Sequence, residues 1–155
     1  MPLSIRVSIV LLAAGALGAC SGSTTSPSTT STTPSGTVTN EVLSGTVPAP
    51  SNGVLQTAAN PFTVNAANGA ISVTLTSAVE TLPDGTLLPT VTMGLGLGSW
   101  SNGTCTSQPS TFTTAQSGSV AQISGTISAG SYCVQVSDVT NQLGSVAYAV
   151  ALSHY

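Results

Sequence analysis

The chain has 155 residues, of which 3% are charged: Arg6 is the one basic side chain against Glu41, Glu80, Asp84 and Asp138, for a formal net charge of −3. An ordinary soluble domain carries roughly 25% charged residues, so nucleic acid, anionic lipid headgroups and magnesium-nucleotides, all recognised through cationic neutralisation, are poor partners for it. Hydrophobic residues make up 41% and mean hydropathy is +0.40, yet past residue 20 no uninterrupted apolar run approaches the roughly 20 residues that cross a bilayer.

The chain opens with Arg6 and the apolar stretch Val7 to Ala16, which is too short to span a membrane and reads as a secretory signal. It closes on Leu17-Gly18-Ala19-Cys20, which resembles a bacterial lipobox, with Gly18 where Ala or Ser is commoner. That resemblance implies lipidation of the Cys20 thiol, removal of residues 1–19 as a lipoprotein signal peptide, and a palmitate-type membrane anchor. Each buried methylene contributes about 0.8 kcal/mol, so two or three acyl chains hold durably where one does not. The competing reading is an ordinary signal followed by a chance cysteine, which leaves an odd thiol among three in an oxidising compartment. Lipidation of Cys20 instead leaves Cys105 and Cys133 as a pair. With Arg6 gone the charge moves from −3 to −4 and no cationic side chain remains.

Residues 20–40 form the lipidated cysteine and a flexible linker. Ser21 to Thr39 reads SGSTTSPSTTSTTPSGTVT, which cannot bury a core and is biased to extended states by Pro27 and Pro34. Fully extended it reaches about 60 Å at 3.1 Å per residue. A plain spacer and an O-glycosylated stalk are both compatible with this composition. Ser21 places no Asp after Cys20, which by resemblance to enteric lipoproteins favours the outer membrane or cell surface over the inner membrane.

Residues 41–155 change to short β-type runs separated by turn residues. Strands are expected over Val42 to Val47, Phe62 to Asn65 and Ala70 to Val79, the last with Ile71, Val73 and Leu75 on one face and Ser72, Thr74 and Thr76 on the other. Leu82-Pro83-Asp84-Gly85 supplies a turn. Thr90 to Leu97 follows with Val91, Met93, Leu95 and Leu97 inward, then Val120 to Ile127, an Ala129-Gly130 turn, and Tyr132, Val134 and Val136 inward against Cys133, Gln135 and Ser137. In the final strand Val146, Tyr148, Val150 and Leu152 alternate with Ala147, Ala149 and Ala151, which suits a central strand or one covered on its outer face. Short strands at this spacing, with no helical periodicity, predict an all-β fold: a single β-sandwich or jelly-roll-like domain. Its core is aliphatic, with Phe62, Tyr132 and Tyr148 as the larger fillers.

In an exported chain the default for Cys105 and Cys133 is a disulfide, contributing roughly 3–4 kcal/mol and pinning the loop from Trp100 to Pro109 against the Tyr132 strand. Free thiols and intermolecular pairing are the alternatives. The stretch ISGTISAGSYCVQV (Ile123 to Val136), the final Tyr148 to Leu152, and the earlier Ser44 to Val47 and Gly69 to Leu75 together resemble the bacterial pre-peptidase C-terminal domain. The resemblance implies a jelly-roll-like sandwich that accompanies secreted enzymes or binds extracellular polymers. No peptidase precedes it here, and the acidic clusters of calcium-binding relatives are missing.

Chemistry has little to work with. A Ser-His-Asp arrangement is formally available through His154 and Asp138, but His154 is penultimate and expected to fray, and no Gly-x-Ser-x-Gly elbow occurs. Glu80 and Asp84 read as solvated turn residues, and four scattered carboxylates do not make a calcium site. The glycines of Gly94-Leu-Gly-Leu-Gly98 alternate within a strand pattern, which suits close approach of a backbone or loop better than a phosphate. Trp100 is the candidate binding residue, either stacking on a sugar or partner side chain or capping one end of the sandwich over the disulfide. The expectation is a noncatalytic, lipid-anchored binding or structural module of the cell envelope. It uses no metal or cofactor and makes uncharged contacts to neutral polysaccharide or an envelope protein. The alternative is a small hydrolase using His154.

Overall fold

The computed structural model describes residues 36–155; the expected signal segment, the lipobox-like stretch ending at Cys20 and the expected linker as far as residue 35 lie outside the described residues. From there the chain runs through β1 (Thr39–Val47), β2 (Thr57–Val64), β3 (Gly69–Thr81), β4 (Leu87–Leu88) and β5 (Met93–Ser101). It continues through β6 (Thr104–Ala115), β7 (Ile123–Ile127), β8 (Gly130–Ser137) and β9 (Ser145–His154). One sheet has the order β1-β9-β3, with β7 and β4 pairing opposite ends of β3; the other has the order β2-β8-β5-β6. All strand pairs are antiparallel. The two sheets pack face to face as the expected β-sandwich.

Period-two alternation builds the core. Val73, Leu75, Val146, Val150 and Leu152 from one sheet and Val64, Met93, Leu95, Val134 and Val136 from the other are at most 1% exposed and belong to one apolar cluster. Fully burying each such side chain contributes roughly 1.5–3 kcal/mol. Phe62 and Tyr148 are buried within it, and Tyr132 packs at its margin. β9 is central, laddered to β1 along one edge and β3 along the other, which accounts for alanines on its second face. β1 reaches two residues into the stretch read as linker, because Thr39 and Asn40 extend the ladder opposite His154 and Ser153.

Three features depart from the expected pattern. The segment from Cys105 to Pro109 is not a loop but the first half of β6, which pairs on one side only, with β5. Its sequence TCTSQPSTFTTA has no apolar alternation, since an edge strand with little buried surface needs none. The hairpin into it turns on Asn102 (φ 51°) and Gly103 (φ 77°), a pair of left-handed residues that matches the twist of the flanking strands. The second departure is a β-bulge in β3 between Leu75 and Ser77. It inserts one residue, so the inward set Ile71, Val73, Leu75 gives way to Ala78 and Glu80. Gln122 covers the gap: its Oε1 accepts the Leu75 N–H (2.8 Å), and the Gly118 N–H donates to Leu75 O (2.9 Å). Val120, placed in a strand by its sequence, is 77% exposed, and β7 starts only at Ile123.

Candidate functional site

His154 is paired within the sheet and buried. It ends β9 in register with Thr39 of β1 and Ile71 of β3, and it is 3% exposed. Its Nε2 lies 3.0 Å from Glu41 Oε1, its Nδ1 lies 3.3 Å from Tyr155 O, and its ring tilts against Phe62 at 5.4 Å between centroids. Each ring nitrogen thus faces an oxygen of the chain itself. Asp138 is not its orienter. That residue follows β8 at the end of the sandwich where β9 begins, roughly 30 Å from His154 at 3.3 Å per strand residue. The carboxylate that meets His154 is Glu41. Its only sequence signal is its place in the alternation Glu41, Leu43, Gly45, Val47 that β1 turns toward the core.

Glu80 and Asp138 are buried rather than solvated. Glu80, 2% exposed, accepts the N–H groups of Leu143 (2.5 Å) and Gly144 (2.7 Å) on Oε1. The β3 bulge is what turns it inward. Asp138, 4% exposed, accepts the N–H groups of Thr140 (2.8 Å), Asn141 (3.2 Å) and Gln142 (3.4 Å) on Oδ1 and so organises the β8–β9 connection. Asp84 is the turn residue expected. It accepts the Thr86 N–H at 2.9 Å, and that backbone bond, with the Thr86 hydroxyl, holds its carboxyl below the usual carboxylate range. Among the described residues no group of three or more His, Cys, Asp or Glu is placed to hold a metal ion.

Cys105 and Cys133 form a disulfide with Cα atoms 5.8 Å apart, joining β6 to β8 across β5. Trp100 lies in β5 rather than on a loop, directly opposite Cys105 and half-buried on the outer face of its sheet. The alternate glycines also lie on that outer face. A Cβ at Gly98 would come 2.4 Å from Thr106 O, and one at Gly94 or Gly96 would press on the Phe112 ring. They admit a neighbouring backbone and an aromatic lid, as the sequence pattern suggests.

Two of the concave surfaces among the described residues bear on function. One is a shallow groove of about 260 Å3 on the outer face of β1, β9 and β3. Its ranks are set by register: Asn40, Ser153 and Ser72 lie across the sheet in one row, and Val42, Ala151 and Thr74 in the next. Ala151 of β9 makes the middle of its floor, with hydroxyl and amide side chains and Val42 around it. The other is a cavity of about 230 Å3 between the sheets on the β6 and β7 side, walled by Leu97, Thr111, Thr126, Ile127 and Tyr132. Both are lined almost wholly by uncharged groups, Glu41 at the groove being the exception. Comparison with protein families, curated proteins and solved structures gives no match.

Proposed function

We propose that the chain is a lipid-anchored, extracytoplasmic β-sandwich that acts without catalysis, meeting neutral polysaccharide or an envelope protein through uncharged contacts. The observation that carries this reading is the groove across β1, β9 and β3, where Asn40, Ser72, Thr74 and Ser153 offer donors and acceptors beside Val42 and Ala151. The Cys105–Cys133 disulfide supports an oxidising compartment, and leaving Cys20 out of that pair supports its lipidation. The segments that resemble the pre-peptidase C-terminal domain fall within β1, β3, β7, β8 and β9 of a two-sheet sandwich, which supports that kinship at the level of fold. A hydrolase using His154 would first have to free a ring nitrogen from Glu41 or Tyr155.

Two assays test the reading. Mass spectrometry of the mature protein is expected to show an acylated N-terminal Cys20, and an unmodified N-terminus elsewhere overturns the anchor. Pelleting with insoluble neutral glucan or mannan is expected to retain the chain equally at low and high salt. Substituting Thr74→Lys and Ser153→Glu on the groove should weaken that retention without lowering the melting temperature, and unchanged retention overturns the groove.

A further inference from the structure

We propose that the cavity between the sheets on the β6 and β7 side is a binding site for a single neutral pyranose unit of a glycan. This rests on the reading that the domain meets neutral glycans, but it assigns a different surface from the outer groove. An interruption of β6 makes the cavity. The register passes from Gly96 opposite Phe112 to Gly98 opposite Ser107, so Leu97 alone faces the four residues from Gln108 to Thr111. Pro109 in that excursion has no N–H for the ladder. The Thr111 hydroxyl donates to Leu97 O at 2.6 Å in place of the lost ladder bond, and it also lies 2.9 Å from Gln108 O. Bulges that break an edge strand in this way recur beside binding sites, where they redirect side chains.

The facing walls are equally ordered. The end of β7 contributes Thr126, and the connection to β8 contributes Ser128. Tyr132 is fixed by stacking on Phe62 at 5.9 Å and by donating its hydroxyl to Ser128 O at 3.1 Å. The disulfide ties Cys133, the next residue after Tyr132, to the strand that carries the excursion, so the β8 and β6 sides of the cavity are covalently joined. The polar groups on offer are an amide, hydroxyls and carbonyls, which donate and accept but carry no charge. A charged ligand would leave water for a site without a counter-ion. At about 230 Å3 the cavity is smaller than the roughly 300–1,000 Å3 clefts that hold drug-sized ligands. It suits one polyhydroxylated ring, its apolar side on Tyr132 or Leu97 and its hydroxyls on Gln108, Thr111 and Thr126.

The test is saturation-transfer NMR on the full chain in a detergent without a sugar headgroup, with maltotriose, cellotriose and mannotriose as probes and trigalacturonate as the charged comparator. Transfer is expected to concentrate on one ring of a neutral trisaccharide. It should fall at least fivefold with Ser128→Trp, which fills the cavity, and binding should weaken at least threefold with Gln108→Ala. Both positions are exposed, and an unchanged melting temperature verifies the fold. Transfer that survives Ser128→Trp, or that favours trigalacturonate, overturns the site. If insoluble glycans still retain the chain while no trisaccharide shows transfer, the cavity assignment fails and the broader reading stands. If neither is seen, both fail.

Discussion

Removing the buried carboxylate of Glu80 should be among the most damaging single changes at its end of the sandwich. Its Oε1 accepts two backbone N–H groups, from Leu143 and Gly144, at a site 2% exposed. In Glu80→Leu the buried Gly144 N–H is left without a partner, at about 1–3 kcal/mol, and the part-buried Leu143 N–H loses its partner at a smaller cost, so a loss of about 2–4 kcal/mol is expected. Glu80→Gln keeps a carbonyl acceptor and forgoes only the charge assistance, for about 1–2 kcal/mol. Gly144→Ala should resemble Glu80→Leu, because a Cβ there would lie 1.9 Å from Thr81 O and push the N–H away from the carboxylate. Urea denaturation reads the difference as a shift in midpoint at constant m-value. With m of about 1.5 kcal/mol/M, Glu80→Leu should unfold about 2 M earlier than wild type. A Glu80→Leu protein within about 0.5 kcal/mol of both wild type and Glu80→Gln would refute the reasoning, since that is the ordinary scatter of surface changes.

Three further outcomes are expected. Replacing Cys105 and Cys133 together by Ser opens a loop of 28 residues and should cost about 3.6 kcal/mol by chain entropy, read as a fall in melting temperature; a loss below about 1 kcal/mol would mean the unfolded chain is already constrained. Gly45→Ala should cost about 1–3 kcal/mol, because its Cβ would sit 2.6 Å from the Tyr148 hydroxyl; a double-mutant cycle with Tyr148→Phe should show positive coupling, and strict additivity would count against the contact. Burial raises the Tyr148 hydroxyl above its ordinary pKa of 10.0. Above pH 10 the unfolded chain therefore loses this proton first, so stability held below that pH should decline as pH rises toward the folded value; a Tyr148→Phe protein with the same alkaline decline would place the cause elsewhere.

Where alternation was strict, the strands were legible. Ile71, Val73 and Leu75, and Val146 through Leu152, face the core as their spacing implies, and the alanines of β9 mark a central strand. β6 escaped because period-two patterning reports burial, and an edge strand of Ser, Thr and Gln has little to report; the Asn102-Gly103 turn was the local signal that announced its hairpin. Glu80 escaped because a bulge changes the facing of every later residue in its strand while leaving no mark on composition. The histidine partner was misplaced for a topological reason. Asp138 is nearer in sequence, but an antiparallel strand carries His154 away from it and toward the start of β1, where Glu41 lies. The disulfide needed only the compartment and the count of cysteines.

All four carboxylates of the chain are engaged with the chain itself. Glu80 and Asp138 are sealed under backbone N–H groups, Asp84 closes a turn, and Glu41 holds the end of β9 through His154. Charge in this domain is thus tied up in caps and turns, while the groove ranks and most of the cavity walls consist of hydroxyls, amides and small apolar groups. Uncharged contacts of this kind lose little to salt, whereas exposed charge pairs are screened over about 8–10 Å at physiological ionic strength. They also forgo long-range steering, so association proceeds at unassisted rates and selectivity depends on the fit of donors and acceptors at contact. For a domain on a Ser/Thr-rich tether, high local concentration at a membrane would offset that slow approach. The anchor and the neutral surface are therefore complementary parts of one proposed design: the first keeps the domain near its target, and the second lets it bind there without dependence on charge.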